Sequence, residues 1–92
     1  MAKLSDKEIQ EKLLALSGWK YEAGALVRSY EFADFAVAFA FVTRLALLAE
    51  KANHHPDIDI RYNKVRVALV SHDAGGVTGR DVSMAGEISK LG

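Results

Sequence analysis

The sequence predicts an α+β two-layer sandwich: a four-stranded antiparallel sheet with three helices packed on one face. Two observations predict it. Helical stretches and hairpin-like strand pairs alternate in the order helix, hairpin, helix, hairpin, helix. The middle helical stretch is apolar along nearly its whole length, which calls for packing on two sides. At 92 residues the chain is expected to form one domain over residues 1–92, with a thin core.

The first helix is expected from Ser5 to Leu16. Ser5 and Glu8 have capping-box spacing, in which each side chain satisfies a free backbone N–H at the helix start. Ile9, Leu13, Leu14 and Leu16 supply its apolar side, and Gly18 is a plausible stop. Trp19 to Phe32 reads as a hairpin turning at Ala23-Gly24, with Leu26, Tyr30 and Phe32 at even spacing and Arg28 breaking the stripe.

Asp34 is placed to cap a long helix from Phe35 to about Asn53, roughly 30 Å at the usual rise per residue. Pro56 cannot continue that helix and disfavours helical geometry at His55. His54-His55-Pro56 therefore falls on the helix exit. Ile58 to Tyr62 alternates as a half-buried strand does, Asn63-Lys64 offers a turn, and Val65 to His72 reads as the returning strand. Gly75-Gly76 breaks it. Thr78 and Asp81 form a second capping box, starting a helix to about Lys90 with Val82, Ala85, Ile88 and Leu91 inward. Trp19 and the run Phe35, Phe39, Phe41 are expected in the core. The far sheet face or the far side of the long helix would be left apolar, and self-association is the natural cover.

Composition narrows the function. Twelve basic residues balance twelve acidic ones, so no strong field draws nucleic acid or an anionic membrane. Arg61, Lys64 and Arg66 read as a solvated face. There is no cysteine, which removes thiol nucleophiles and disulfides. The Phe35–Ala49 run is shorter than the roughly 20 residues of a membrane span and carries Arg44. The charged N-terminus has no apolar core of a signal peptide, so a cytoplasmic protein is expected.

The candidate chemistry lies on the three histidines, His54, His55 and His72. If the second hairpin pairs as expected, His72 returns beside the His pair, and three imidazoles approach one cleft. Imidazole gives or takes a proton near neutrality. Adjacent residues in an extended chain point to opposite sides, so His54 and His55 should differ in role. Glu50, four residues before His54, shares its face if the helix persists and could orient an imidazole. Asp81 is expected to serve the helix start. Zinc is disfavoured: His-His-Pro is not a helical i, i+4 ligand pair, and neither cysteine nor an HExxH motif is present. Gly75-Gly76 with Gly79 lacks the lysine and context of a phosphate loop.

Glu50-Lys51-Ala52-Asn53-His54-His55-Pro56, Tyr62-Asn63-Lys64-Val65, Ser71-His72-Asp73, Gly76-Val77-Thr78 and Asp81 together resemble the signature of the pterin-4a-carbinolamine dehydratases. Gly18-Trp19, Phe32, Asp34-Phe35, Phe41 and Thr43-Arg44 extend the likeness from about Leu13 to the C-terminus. The resemblance implies the same sandwich fold. It implies a hydro-lyase that converts 4a-hydroxytetrahydropterin to quinonoid dihydropterin without metal or organic cofactor. By matched position, His54, His55 and His72 would handle protons, and Glu50 would orient a histidine or shape the pocket. Asn53, the His pair, Pro56 and the strand end Val70, Ser71, His72 and Asp73 would hold the pterin. Homodimers or homotetramers through the 35–49 helix are implied too. So is an alternative role as a regulatory or dimerisation module acting through that helix without catalysis. Three positions depart from the family pattern: Ile58 where tryptophan is frequent, Asn53 where aspartate is, and Ser71 where threonine is.

Overall fold

The computed structural model describes residues 2–91. The elements are α1 (Asp6–Leu13), β1 (Lys20–Glu22), β2 (Ala25–Glu31), α2 (Phe35–Ala52), β3 (Asp57–Arg61), β4 (Lys64–Leu69), a short 3₁₀ turn at His72–Ala74, and α3 (Gly79–Ser89). The strands form one antiparallel sheet in the order β1-β2-β4-β3. The α+β class and the alternation of helices and hairpins match the reading of the sequence.

Register sorts the side chains. Leu26 pairs with Leu69, Arg28 with Val67 and Tyr30 with Val65, while Ile58 and Ile60 of β3 pair with Val67 and Val65. Paired residues share a face, and this is the inner one: Leu26, Val65, Val67 and Leu69 are buried in one cluster. The same cluster takes Ile9 from α1, Ala38, Phe41 and Leu45 from α2, and Met84, Ala85 and Ile88 from α3. All three helices therefore bury against one sheet face. Arg28 keeps its place in the inward stripe because its head group is satisfied there. Nη1 donates to Ser89 Oγ at 3.1 Å, the guanidinium lies 4.5 Å from the centre of the Tyr30 ring, and Gly18 leaves it room.

Both capping boxes form. Ser5 and Glu8 exchange bonds at α1, as do Thr78 and Asp81 at α3. Asp34 Oδ1 accepts from the N–H of Val37 at the start of α2. The first hairpin turns at Ala23-Gly24, both at positive φ.

Several boundaries differ from expectation. Helix α1 stops at Leu13; turns carry the chain to Gly18, whose φ of +89° suits glycine, and Leu16 is buried from a turn. The second hairpin turns at Tyr62-Asn63, one residue earlier than read, because Lys64 pairs with both Glu31 and Arg61. Asn63 is held there by β2's exit: its Nδ2 donates to Phe32 O and its O accepts from Phe32 N, each at 2.8 Å. Tyr62 takes φ +53°. Strand β4 ends at Leu69, short of His72.

Helix α2 is not buried all round within one chain. Ala38, Phe41, Leu45 and Ala49 form one buried stripe, while Phe35, Val37, Phe39 and Leu47 are 46–68% exposed. Phe35 and Phe39 therefore lie outside the core, whereas Trp19 and Phe41 lie in it. The far sheet face carries Glu22, Asp59, Arg61 and Arg66, with Arg61 paired to Asp59 and Arg66 to Glu22. It is charged, not apolar, so the uncovered apolar surface belongs to α2. Among the described residues no helix is long and apolar enough to cross a membrane.

Candidate active site

Asn53 caps α2 in the left-handed conformation, φ +50° and ψ 41°, and its N–H bonds back to Ala49 and Glu50. The chain leaves α2 extended, so the next two side chains point apart. His54 turns inward, its side chain 12% exposed, and its Nε2 lies 2.5 Å from Asp81 Oδ1. His55 turns outward, 55% exposed, and its Nε2 lies 2.5 Å from Glu50 Oε1. Each imidazole thus has its own carboxylate. Glu50 reaches the second histidine rather than the first, because α2 ends before His54 and the helical i, i+4 relation does not apply.

Asp81 is fully buried and receives more than the helix cap. Its Oδ2 accepts from the N–H of Thr78 at 2.8 Å and from the hydroxyl of Ser71 at 2.9 Å. A buried carboxylate is costly unless hydrogen-bonded, and here His54, Ser71 and Thr78 all contribute. Asp81 therefore does more than serve the helix start, the role its place in the sequence suggests. The Thr78-x-x-Asp81 spacing was the visible signal; the contact with His54 depends on α3 starting beside the exit of α2, which no local pattern encodes.

After β4, Ser71 bridges to Gly76 and turns its side chain inward. His72, the next residue, is consequently exposed. It lines a cavity of about 530 Å³ together with Asp57, Ala68, Val70 and the Gly75-Gly76 turn. His54 lines a different cavity of about 340 Å³, with Leu48, Ala52, Arg80 and Met84. The inward turns of His54 and Ser71 send their successors His55 and His72 outward.

Asp73 Oδ1 accepts from Arg80 Nη2 at 2.6 Å, and that bond holds the Asp73 carboxyl below the usual carboxylate range. Ile58 sits on the edge strand, 37% exposed. Among the described residues no group of three or more His, Asp or Glu side chains could hold a metal ion.

The family model described as pterin 4 alpha carbinolamine dehydratase matches residues 2–91. A protein of Acidobacterium capsulatum, provisionally named as that enzyme, is 55% identical over 91 residues, covering 99% of each chain. A likewise named protein of Chloroflexus aurantiacus is 50% identical, covering 99% of this chain and 98% of its own. Among solved structures, a transcriptional coactivator/pterin dehydratase from Brucella melitensis superposes with a TM-score of 0.92 at 41% identity, covering 97% of both chains. A pterin dehydratase-like RuBisCO assembly factor of the alpha-carboxysome shares the fold, with a TM-score of 0.65 at 23% identity over 79% of this chain and 84% of its own.

Proposed function

Because the chain belongs to the pterin-4a-carbinolamine dehydratase family, we propose that it dehydrates 4a-hydroxytetrahydropterin to quinonoid dihydropterin. In this reaction the C4a–O bond breaks, the hydroxyl leaves as water after protonation, and N5 loses its proton as the N5=C4a bond forms. An acid and a base are needed and no electrons change hands. The observation that carries the reading is the pairing of two neighbouring imidazoles with separate carboxylates, His54 with Asp81 and His55 with Glu50. A carboxylate on one ring nitrogen orients the ring and fixes its tautomer, leaving the other nitrogen for proton transfer.

His54, His55 and His72 are the proton-handling residues in this proposal, and Glu50 orients His55. Asn53, Pro56, Val70, His72 and Asp73 form the pterin-holding set, with the Ser71 side chain buried behind them. The cavity beside His72 and Val70 is of a size usual for small-molecule sites. Ile58 at an edge position removes an aromatic wall, which weakens substrate affinity before it weakens turnover. The exposed apolar stripe of α2 supports self-association into a homodimer or homotetramer. The same stripe is the observation behind a second reading, a regulatory module that binds a partner protein without catalysis.

The test is the rate at which purified protein converts 4a-hydroxytetrahydropterin, followed by absorbance, with a His55→Ala/His72→Ala variant as control. Acceleration by the wild type that disappears in the variant is expected. No acceleration from well-folded wild type would sink the dehydratase and put the regulatory module ahead.

A further inference from the structure

We propose that Ser71 is a positioning residue for His54, acting through Asp81, and that its side chain does not touch substrate. Its catalytic consequence rests on the dehydratase reading, while the positioning itself stands on the hydrogen bonds alone.

Ser71 is 1% exposed, and Ser71 and Thr78 reach Asp81 from different segments. A hydroxyl has one proton to give. Ser71 gives its proton to Asp81 Oδ2. Thr78 Oγ1, 2.9 Å from Ser71 Oγ, is therefore the donor of that pair, and it accepts in turn from the backbone N–H of Arg80 at 3.2 Å. The chain has one direction: Arg80 N–H to Thr78, Thr78 to Ser71, Ser71 to the carboxylate.

Oδ2 thus holds two donors, the Ser71 hydroxyl and the Thr78 N–H, and the carboxylate cannot turn about its Cβ–Cγ bond without losing both. Oδ1 is left facing His54. Nε2 of that ring, facing an acceptor, must carry a proton, so Nδ1 is the nitrogen available to take or release one. The helix cap does not need Ser71. The capping box already joins Thr78 and Asp81 through their own side chains and backbone; an apolar side chain at 71 would leave that box in place while taking one donor from the buried carboxylate and the acceptor from the Thr78 hydroxyl. Beyond satisfying part of the buried carboxylate, the hydroxyl fixes its orientation.

The experiment compares Ser71→Thr with Ser71→Val in the full chain, because threonine and valine have nearly the same shape and differ by the hydroxyl. Two readouts are taken: the imidazole ¹⁵N–¹H correlations of His54, and kcat and KM on 4a-hydroxytetrahydropterin. Ser71→Thr should keep the His54 Nε2–H signal and a kcat within about threefold of wild type. Ser71→Val should divide His54 between tautomers and lower kcat by about 10–100-fold, the size of effect seen when a group orienting a functional histidine is removed, with KM nearly unchanged. A Val variant with the wild-type signal and kcat overturns the proposal, and so does one whose KM alone rises. If Ser71→Val does not fold, Ser71→Ala carries the same comparison. Wild type without activity would defeat the dehydratase reading, yet the His54 signals would still decide the positioning.

Discussion

His54 Nε2 and Asp81 Oδ1 lie 2.5 Å apart across 27 residues of sequence, joining the exit of α2 to the first turn of α3. Asp81 there meets three donors and needs an acceptor for each. An amide at this position would have to turn its NH₂ towards some of them. The Thr78 N–H can only donate, so the amide oxygen stays on that side and the NH₂ faces His54, which responds by moving its proton from Nε2 to Nδ1 so that Nε2 accepts. Asp81→Asn is therefore expected to keep the fold, losing about 1.5–3 kcal/mol with the charge-assisted bonds, and to lose about a hundredfold or more in turnover because the wrong tautomer is held. Denaturant unfolding gives the first number and initial rates the second. A variant with full activity and the proton still on Nε2 would contradict this account.

Asn53 separates two roles in one residue. Its backbone occupies the left-handed region that asparagine and glycine tolerate and β-branched residues do not. Asn53→Gly should keep stability within about 1 kcal/mol, because glycine suits this position and costs only through the unfolded chain, while Asn53→Val should cost about 1–2 kcal/mol. Turnover reports the rest. If the Asn53 side chain helps hold the pterin, the glycine variant shows a raised KM at normal stability. In the valine variant kcat should fall as well, because the turn that sends His54 and His55 to opposite sides is disturbed.

Features carried by neighbours in sequence were legible before the structure. Both capping boxes, the Asp34 cap, the Ala23-Gly24 turn and the end of α2 before Pro56 are each specified within a few residues. The second hairpin was misplaced by one residue because tyrosine is a poor guide to a turn that needs positive φ. What selects Tyr62 is the hold of Phe32 on Asn63, a long-range contact. The site followed the same division. The histidines could be named from their motif and their opposite orientations anticipated from backbone geometry. Their partners could not be assigned: Glu50 serves His55, and Asp81 serves His54 from an element with no local link to it.

Asp73 provides a pH test. The Arg80 bond lowers its carboxyl below the ordinary value of about 3.9. With the folded value depressed, the unfolded chain binds the proton more readily. The stabilisation is fully present above the unfolded value and is lost as pH falls through the folded one. The melting temperature of wild type should exceed that of Asp73→Asn by its largest margin above about pH 5, and the two should converge towards about pH 1–2. Glu8 is lowered too, by its capping bonds to Ser5, but it is present in both proteins and cancels. A margin that does not narrow in acid would mean the pair contributes nothing through charge.

Phe39 tests the association proposed for α2. Its ring is 50% exposed and lies 5.7 Å from that of Phe35, on the side of the helix away from Ala38, Phe41, Leu45 and Ala49. A charge there leaves the buried stripe untouched, so the chain should still fold, and surface substitutions of this kind usually change intrinsic stability by about 0.5 kcal/mol or less. In an oligomer the same charge would be driven into an apolar interface without a partner, which is costly. Phe39→Glu is thus expected to sediment as a folded monomer at concentrations where wild type is a dimer or tetramer. Its melting temperature should also stop depending on protein concentration, because association no longer contributes. A monomeric wild type would remove the proposal at its base, and an unchanged oligomer in the variant would move the interface off this stripe. Unfolding of the variant would mean that the stripe is needed within the chain itself, against the exposure observed.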